Sequence, residues 1–352
     1  MRKEDQVNTV YFTDRSDVEQ HARQSLLHYE EQASIGQIAV FPDIHYCSER
    51  SIPVGVAFHT TEVFYPLVTG KDLGCGVAYL RIPQQDVLRP FDKAQHYRAL
   101  EREVHGMTDE GLGGGNHFLS LETSQEYLYV MVHTGSRNLG IYFYQENCRL
   151  LQQHNPGKEW LPLELATPDY LREYRRVLTY AASRREEFVL KTYDFLLRNG
   201  YVRATTPVLA DSCHNLLEFT SDGVIHRKGS TQLIADQEVV IPLSMSRGSL
   251  IVKPNRWHPA FAHALWSCAH GAGRRYSRTD TLKYWHSLKK AEKDTYRHRF
   301  SELLNRQGDF DSSILQEFDF AYKDTRALLA TQPHLIHCDE TRPLVTVKFT
   351  GV

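Results

Sequence analysis

Lys71-Asp72-Leu73-Gly74-Cys75-Gly76-Val77-Ala78-Tyr79-Leu80-Arg81-Ile82 joins two kinds of sequence. Its first half is a glycine-punctuated turn that carries a carboxylate and a thiol three residues apart. Its second half is an unbroken apolar run of the kind that fills a buried strand. Upstream, 38–41 and 54–58 are similar runs separated by turn residues, so 38–82 reads as strands with chemistry in the connections. Further strands are expected at 202–209, 238–241, 249–252 and 344–349. Three helices accompany them. One runs from about 17 to 32 behind a Ser16/Glu19 capping box, with Val18, Ala22, Leu26 and Leu27 on one face. A second spans about 167–200, from Thr167 with Pro168 at its first position to Asn199-Gly200. It carries a stripe of Tyr174, Val177, Leu178 and Ala181 and a break near Ser183. The third, about 279–305, carries Lys283, Lys289, Lys290, Lys293, Arg297 and Arg299, which read either as a contact for an RNA backbone or as a solvated face. The class is mixed, α+β. No repeat or linker divides the chain, so 1–352 is expected to be one domain, with 167–200 and 279–305 as helical additions.

Composition narrows the function. The 352 residues are 41% hydrophobic, enough for a substantial core. With 41 Lys+Arg against 43 Asp+Glu, the net charge is −2, so any nucleic acid would be held by a local patch rather than by bulk charge. No apolar run is long enough to cross a membrane, and Met1-Arg2-Lys3-Glu4-Asp5 has no apolar stretch behind it, so a cytoplasmic protein with no membrane partner is expected. Cysteines at 47, 75, 148, 213, 268 and 338 form no CxxC and no disulfide framework. Histidine is the outlier, with 18 residues.

Four segments set a histidine beside glycines or small polar residues: Gly113-Gly114-Gly115-Asn116-His117-Phe118, His133-Thr134-Gly135-Ser136-Arg137, Asp211-Ser212-Cys213-His214-Asn215 and His270-Gly271-Ala272-Gly273-Arg274. With Asp72 and Cys75 they supply the carboxylate, thiol and imidazoles of a metal site, and a paired-metal site is a common clamp for phosphoryl transfer. Asp, Cys and three His suffice for two ions if one ligand bridges. Ligand softness favours zinc. The 111–115 glycines are not followed by a Rossmann helix pattern, and there is no GxxxxGK[ST], so a nucleotide would be held another way. In 270–274, glycine-turn amides and a guanidinium could hold phosphate oxygens while a neutral imidazole attacks phosphorus; the same residues also read as a tight turn with an Arg ion pair.

Taken in order, these segments resemble the signature blocks of the RtcB family of RNA ligases. Pro42-Asp43-Ile44-His45 is similar to the family's PDVH, 72–76 to DxxCG, 114–118 to G-x-GNHF and 133–137 to HSGSR. Further on, His214-Asn215, His226-Arg227-Lys228-Gly229 (HRKG), Ile241-Pro242-Leu243-Ser244-Met245 (IPGSM), His270–Arg274 (HGAGR) and the closing Lys348 follow the same pattern. The resemblance covers most of the chain and implies a single mixed-sheet domain of the RtcB type. It implies a ligase that joins an RNA 3′-phosphate or 2′,3′-cyclic phosphate to a 5′-hydroxyl end, using GTP and two Mn²⁺ ions. Cys75 would bridge the metals, with Asp72 and His117 on one and His133 and His214 on the other. His270 would carry GMP. Asn116, Asn215, Ser244, Ser249, His270, Gly271, Ala272, Gly273, Arg274 and Lys348 match nucleotide-contacting positions. Asp43 matches an acidic residue of the active-site region and also reads as a turn former. Arg137 and Arg278 are candidates for RNA phosphates, or for ordinary ion pairing.

The chain departs from the family in three places. Ser120 stands where a glutamate usually follows GNHF, with Glu122 two residues further on, which bears on guanine recognition. Tyr46-Cys47-Ser48-Glu49-Arg50 replaces a glycine-rich stretch, and Lys71 replaces an aromatic. With its short length, these suggest a divergent branch similar to the bacterial subgroup encoded with a release-factor homologue. Its natural role would be RNA repair, and an archease-like or release-factor-like protein a possible partner. Two other classes fit part of the pattern: a metal-dependent phosphohydrolase or cyclic phosphodiesterase acting on RNA ends, and a non-catalytic RNA-end-binding module.

Overall fold

The run after Cys75 forms the strand Gly76–Pro83, which lies between Tyr127–Thr134 and Val208–Cys213 in a five-stranded antiparallel sheet completed by Phe118–Thr123 and Arg342–Val347. The computed structural model describes residues 7–47, 51–108, 110–305, 310–325 and 328–348. A second five-stranded sheet is built in the order Asn8–Tyr11, Ile35–His45, Val54–Thr60, Gly223–Lys228 and Asn215–Thr220, parallel only in its first pair. Val239–Ser244, Gly248–Pro254 and Leu335–Glu340 make a three-stranded sheet, and the short pair Ser230–Gln232 and Ser267–Ala269 forms a two-stranded one. The structure is α+β, as expected.

One helix joins the two main cores. Pro168–Arg198 starts where Thr167 accepts from the Tyr170 amide, with proline at its first turn, and ends before Gly200 in a left-handed conformation. Tyr174 and Val177 pack among Val40 and Phe58 of the sheet that begins at Asn8 and Leu26 of the helix Gln20–Glu30. Phe188, Val189 and Leu196 pack among Leu80, Leu119 and Val130 of the other. Between these halves the chain does not break at Ser183, because the next two side chains are tied down. Arg184 donates to the Gly111 carbonyl at 2.6 Å. Arg185, fully buried, forms a two-pronged ion pair with Asp211 at 2.5 and 2.9 Å and also donates to the carbonyls of Gly74 and Thr134.

Other expectations shift for local reasons. The first helix begins at Gln20, not 17, because Asp14 caps Ser16 and winds Arg15–Asp17 into a 3₁₀ turn; the Glu19 carboxylate is spent on the Tyr46 amide instead. The 279–305 segment is two helices, Arg278–Ser287 and Lys290–Leu304, parted by an extended Leu288. Its cations are largely accounted for: Lys283 and Arg297 pair with acids one turn away, and Lys293 and Arg297 cover the Trp285 ring. Two long helices went unread, Lys93–Gly106 and Arg137–His154, as did the single turns Ala260–His263 and Ser312–Leu315. The 202–209 segment is irregular until the strand begins at Val208. Phe349, Ser48, Glu49, Arg50 and residues 1–5 lie outside the described residues. Among the described residues no helix is long and apolar enough to cross a membrane.

Removing one partner of a buried ion pair leaves the other charge uncompensated, which costs about 3–5 kcal/mol. Asp211→Ala is therefore expected to lower unfolding free energy by about that amount in urea titrations, whereas Asp169→Ala, which breaks an exposed pair on the same helix, is expected to cost at most about 1 kcal/mol.

Candidate active site

Strand register brings the histidine segments together. Gly76 pairs with Thr134 on one side and Cys213 on the other, and His133 pairs with both Val77 and Phe118. Cys75, His117, His133 and His214 thus sit at or just beyond strand ends at one level. The Cys75 Sγ lies 3.5 Å from His117 Nε2 and 3.2 Å from His133 Nε2; Asp72 is 3.5 Å from His117, and His214 Nε2 is 3.4 Å from His133 Nε2. The five donors form a chain, Asp72–His117–Cys75–His133–His214, with Cys75 in the middle.

The electrostatics suit a cation. Burial pushes the His133 and His214 pKa values well down, keeping both rings neutral with lone pairs to give. Burial, with the Asp72 charge beside it, pushes the Cys75 thiol well up, so without a cation it keeps its proton. For Asp72 burial opposes ionisation, but the hydrogen bond and attraction of His117 prevail and hold the carboxyl down at about 2. Cys75, His117 and His133 place their donor atoms within 4.8 Å of one another, all buried. His133 Nδ1 is anchored on the Asn116 carbonyl, the outer contact that orients a ligating imidazole. Gly113, at φ +102°, lets the backbone pass over His117: a Cβ there would lie 2.3 Å from Nδ1. A borderline-soft dication fits this donor set.

Beside the donors lies His270, its ring 4.9 Å from that of His214. Asp43, fully buried, holds it twice: one carboxylate oxygen accepts from the His270 amide at 2.9 Å and meets Nδ1 at 2.5 Å. Gly273, at φ +71°, permits this approach, since a Cβ there would fall 2.6 Å from the Asp43 backbone. With Nδ1 committed to a carboxylate, Nε2 is left as a nucleophile or base. A cavity of about 1000 Å³ opens over His270 and the donors.

A family model described as tRNA-splicing ligase RtcB matches residues 90–349. The chain belongs to the RtcB family. RNA-splicing ligase RtcB2 of Escherichia coli is 26% identical over 396 aligned residues, covering 98% of this chain and 97% of that protein. RNA-splicing ligase RtcB of Escherichia coli K12 is 26% identical over 401, covering 94% and 95%. tRNA-splicing ligase RtcB of Nanoarchaeum equitans is 25% identical over 270, covering 60% and 53%.

In this RtcB chain the remaining predicted residues divide. Asn116, Ser249, Gly271, Ala272, Arg278 and Lys348 border the cavity. The Ser249 hydroxyl is buried on the cavity wall beside the Glu122 carboxylate. Lys348, buried, donates to the Gly115 carbonyl. Asn215, Ser244 and Arg274 also border the cavity, but their polar atoms have protein partners. Asn215 bridges the Asp72 carbonyl and the Gly229 amide, Ser244 donates to Asp319, and Arg274 binds Glu317, Thr281 and the Gln316 and Tyr276 carbonyls. Arg137 is not on the cavity wall. It adopts φ +52° at the head of its helix, its guanidinium against Gly113. Ser120 and Glu122 face the same way, as residues two apart on a strand must. Ser120 donates to Glu122 at 2.7 Å, and Thr341 binds its other oxygen. The displaced carboxylate therefore still reaches the cavity.

Sequence reasoning met Lys228 only as part of the HRKG block and gave it no role. It is nine-tenths buried on the cavity wall, its ammonium meets the Ser51 hydroxyl rather than a carboxylate, and burial pulls its pKa down. Its neighbours in the HRKG block are structural: His226 stacks on Phe58 at 4.3 Å, and Arg227 pairs with Glu218.

If the donors hold metal, Zn²⁺ or Mn²⁺ at 100 times its Kd should stabilise the chain against thermal unfolding by about 2.7 kcal/mol per site. His133→Ala should reduce bound metal, measured by elemental analysis after gel filtration, and most of the stabilisation with it.

Proposed function

We propose that this chain is an RNA ligase that joins an RNA 3′-phosphate or 2′,3′-cyclic phosphate end to a 5′-hydroxyl end through a histidine–GMP intermediate. The observation that carries the reading is the Asp43–His270 pair set against the five-donor cluster. An imidazole held at Nδ1 by a buried carboxylate and bordering a cavity that Lys228, Lys348 and Arg278 also line is built for attack on phosphorus. Two divalent ions, manganese in the family pattern, would be held by Asp72, Cys75 and His117 and by Cys75, His133 and His214, and would neutralise phosphate charge.

The chain's own residues do the rest. The His270 Nε2 lone pair attacks the α-phosphorus of GTP, an N–P bond forms, and the bond to pyrophosphate breaks with its electrons on the leaving oxygen. Asp43 offsets the positive charge that develops on the ring. Lys228, Lys348 and Arg278 bring cations to phosphate oxygens, and the exposed Asn116 amide can donate to them. An oxygen of the RNA 3′-phosphate, present from the start or formed when water adds to a 2′,3′-cyclic phosphate and its P–O2′ bond breaks, then displaces His270 from the guanylyl group, and the 5′-hydroxyl displaces GMP from the activated end. Glu122, with the Ser249 hydroxyl near it, offers acceptors for guanine N–H groups. RNA repair suits the divergent sequence, with a protein activator of the archease or release-factor type and a cytoplasmic setting as further expectations.

Wild-type protein incubated with α-labelled GTP and Mn²⁺ is expected to retain acid-labile label through denaturing electrophoresis, and His270→Ala to retain none. Absence of label from metal-loaded wild type would favour the hydrolase or binding classes instead. Glu122→Gln keeps the shape but removes the charge that accepts from guanine, a hydrogen bond worth about 1.5–3 kcal/mol. Half-maximal labelling should then need roughly 10- to 150-fold more GTP, and preference over ATP should fall.

A further inference from the structure

Asp43 holds a second imidazole. While its carboxylate fixes His270, its main-chain carbonyl lies 2.8 Å from His45 Nδ1. A carbonyl can only accept, so His45 Nδ1 carries the proton and Nε2 keeps a lone pair. His45 borders the same cavity as His270. The segment that carries it is clamped: Lys323 donates to the carbonyls of Pro42 and Ile44, at 3.2 and 2.5 Å, and Gly55 and Gly273 allow the neighbouring backbone to close on Ile44 and Asp43. Burial pushes the His45 pKa down to about 4, the Asp43 contacts oppose this, and the Lys323 charge adds to it, so the ring is neutral at neutral pH.

The proposed reaction leaves one proton unassigned. His270 attacks with a free lone pair, and GMP departs as a phosphate that needs no proton, but the 5′-hydroxyl arrives protonated. Most other basic groups around the cavity are engaged. The five donors face one another, Glu122 is bound by Ser120 and Thr341, Glu317 by Arg274 and Tyr322, and Glu19 by the Tyr46 amide. Resting on the ligase reading above, we infer that His45 is the catalytic base of the sealing step, its Nε2 taking the proton of the RNA 5′-hydroxyl. The 5′-oxygen forms its bond to the phosphorus of the activated 3′-end, the P–O bond to GMP breaks with its electrons on GMP, and the proton passes to His45 Nε2 and then to water.

The test separates the steps. His45→Asn retains a side-chain donor for the Asp43 carbonyl and removes the Nε2 lone pair; His45→Ala removes both. Each is assayed for labelling with α-labelled GTP and for sealing of RNA supplied with an already guanylylated 3′-phosphate, using a 5′-hydroxyl or a 5′-thiol acceptor. The expected result for His45→Asn is label on His270 as in wild type, with sealing of the 5′-hydroxyl slowed about 100-fold or more. A thiol is substantially ionised near pH 8.5 and needs no base, so the 5′-thiol acceptor should largely erase the difference. Sealing of the hydroxyl by both variants at the wild-type rate overturns the role of His45, as does an equal loss of labelling and sealing that the thiol does not relieve, which marks a structural residue. Failure of metal-loaded wild type to take label or to seal overturns the ligase reading, and this inference with it.

Discussion

The Arg185 guanidinium is the constraint on which the site depends. Buried inside the long helix's contact with the sheet, it bonds Asp211 on one strand, the Thr134 carbonyl at the end of another, and the Gly74 carbonyl just before a third. Those segments deliver His214, His133 and Cys75. A guanidinium offers five donors in a fixed plane, so it sets the three chain segments at one height in a way no apolar contact could. Its cost is a charge kept from water, offset by a two-pronged carboxylate and two carbonyls. The neighbouring Arg184 does the same for the Gly111 carbonyl and so for the loop that leads to His117. One turn of one helix thereby governs four of the five donors.

A second anchor works from the opposite sheet. Asp43 lies near the end of a strand in the sheet that begins at Asn8, and it reaches His270, which leaves the short Ser267–Ala269 strand. His270 and the donors therefore belong to different supports that meet at His214, where the chain crosses from the strand Val208–Cys213 to Asn215–Thr220. Asn215 secures the crossing by bridging Asp72 and Gly229. Its amide, matched to the nucleotide in the sequence pattern, fastens the fold from the cavity wall, and Arg274 is likewise held by Glu317 and the Gln316 carbonyl. A residue's place in a motif thus says that the position matters without saying which neighbour its side chain serves.

Legibility followed the range of the interaction. The apolar runs at 38–41, 54–58 and 77–82 are strands because their pattern is local, and the Thr167-Pro168 start and the Asn199-Gly200 end mark a helix by chemistry within one turn. The donors were readable because glycine, histidine and cysteine in short blocks are unusual. What depended on distant partners was not. Arg137–His154 begins inside the HSGSR block, where a left-handed arginine replaces an ordinary cap, so neither Ser136 nor the glycine signals a helix start. The 202–209 run has β-branched residues, but Pro207 has no amide to give to a ladder, and the strand forms only from Val208, where Gly76–Pro83 supplies a partner.

Ser120 and Glu122 show how a departure can be absorbed. A glutamate moved by one residue would have turned to the other face of its strand and into the apolar core beside Leu119 and Leu121. Moved by two, it keeps its face, and the hydroxyl left behind donates to it. The reach into the cavity changes by about 6–7 Å along the strand, the spacing of two residues. Thr341, whose hydroxyl binds the same carboxylate, and Ser249, whose carbonyl receives that hydroxyl's neighbouring amide, then define where the charge sits. The strand's period of two, rather than the identity of any single position, is what keeps this carboxylate on the cavity wall.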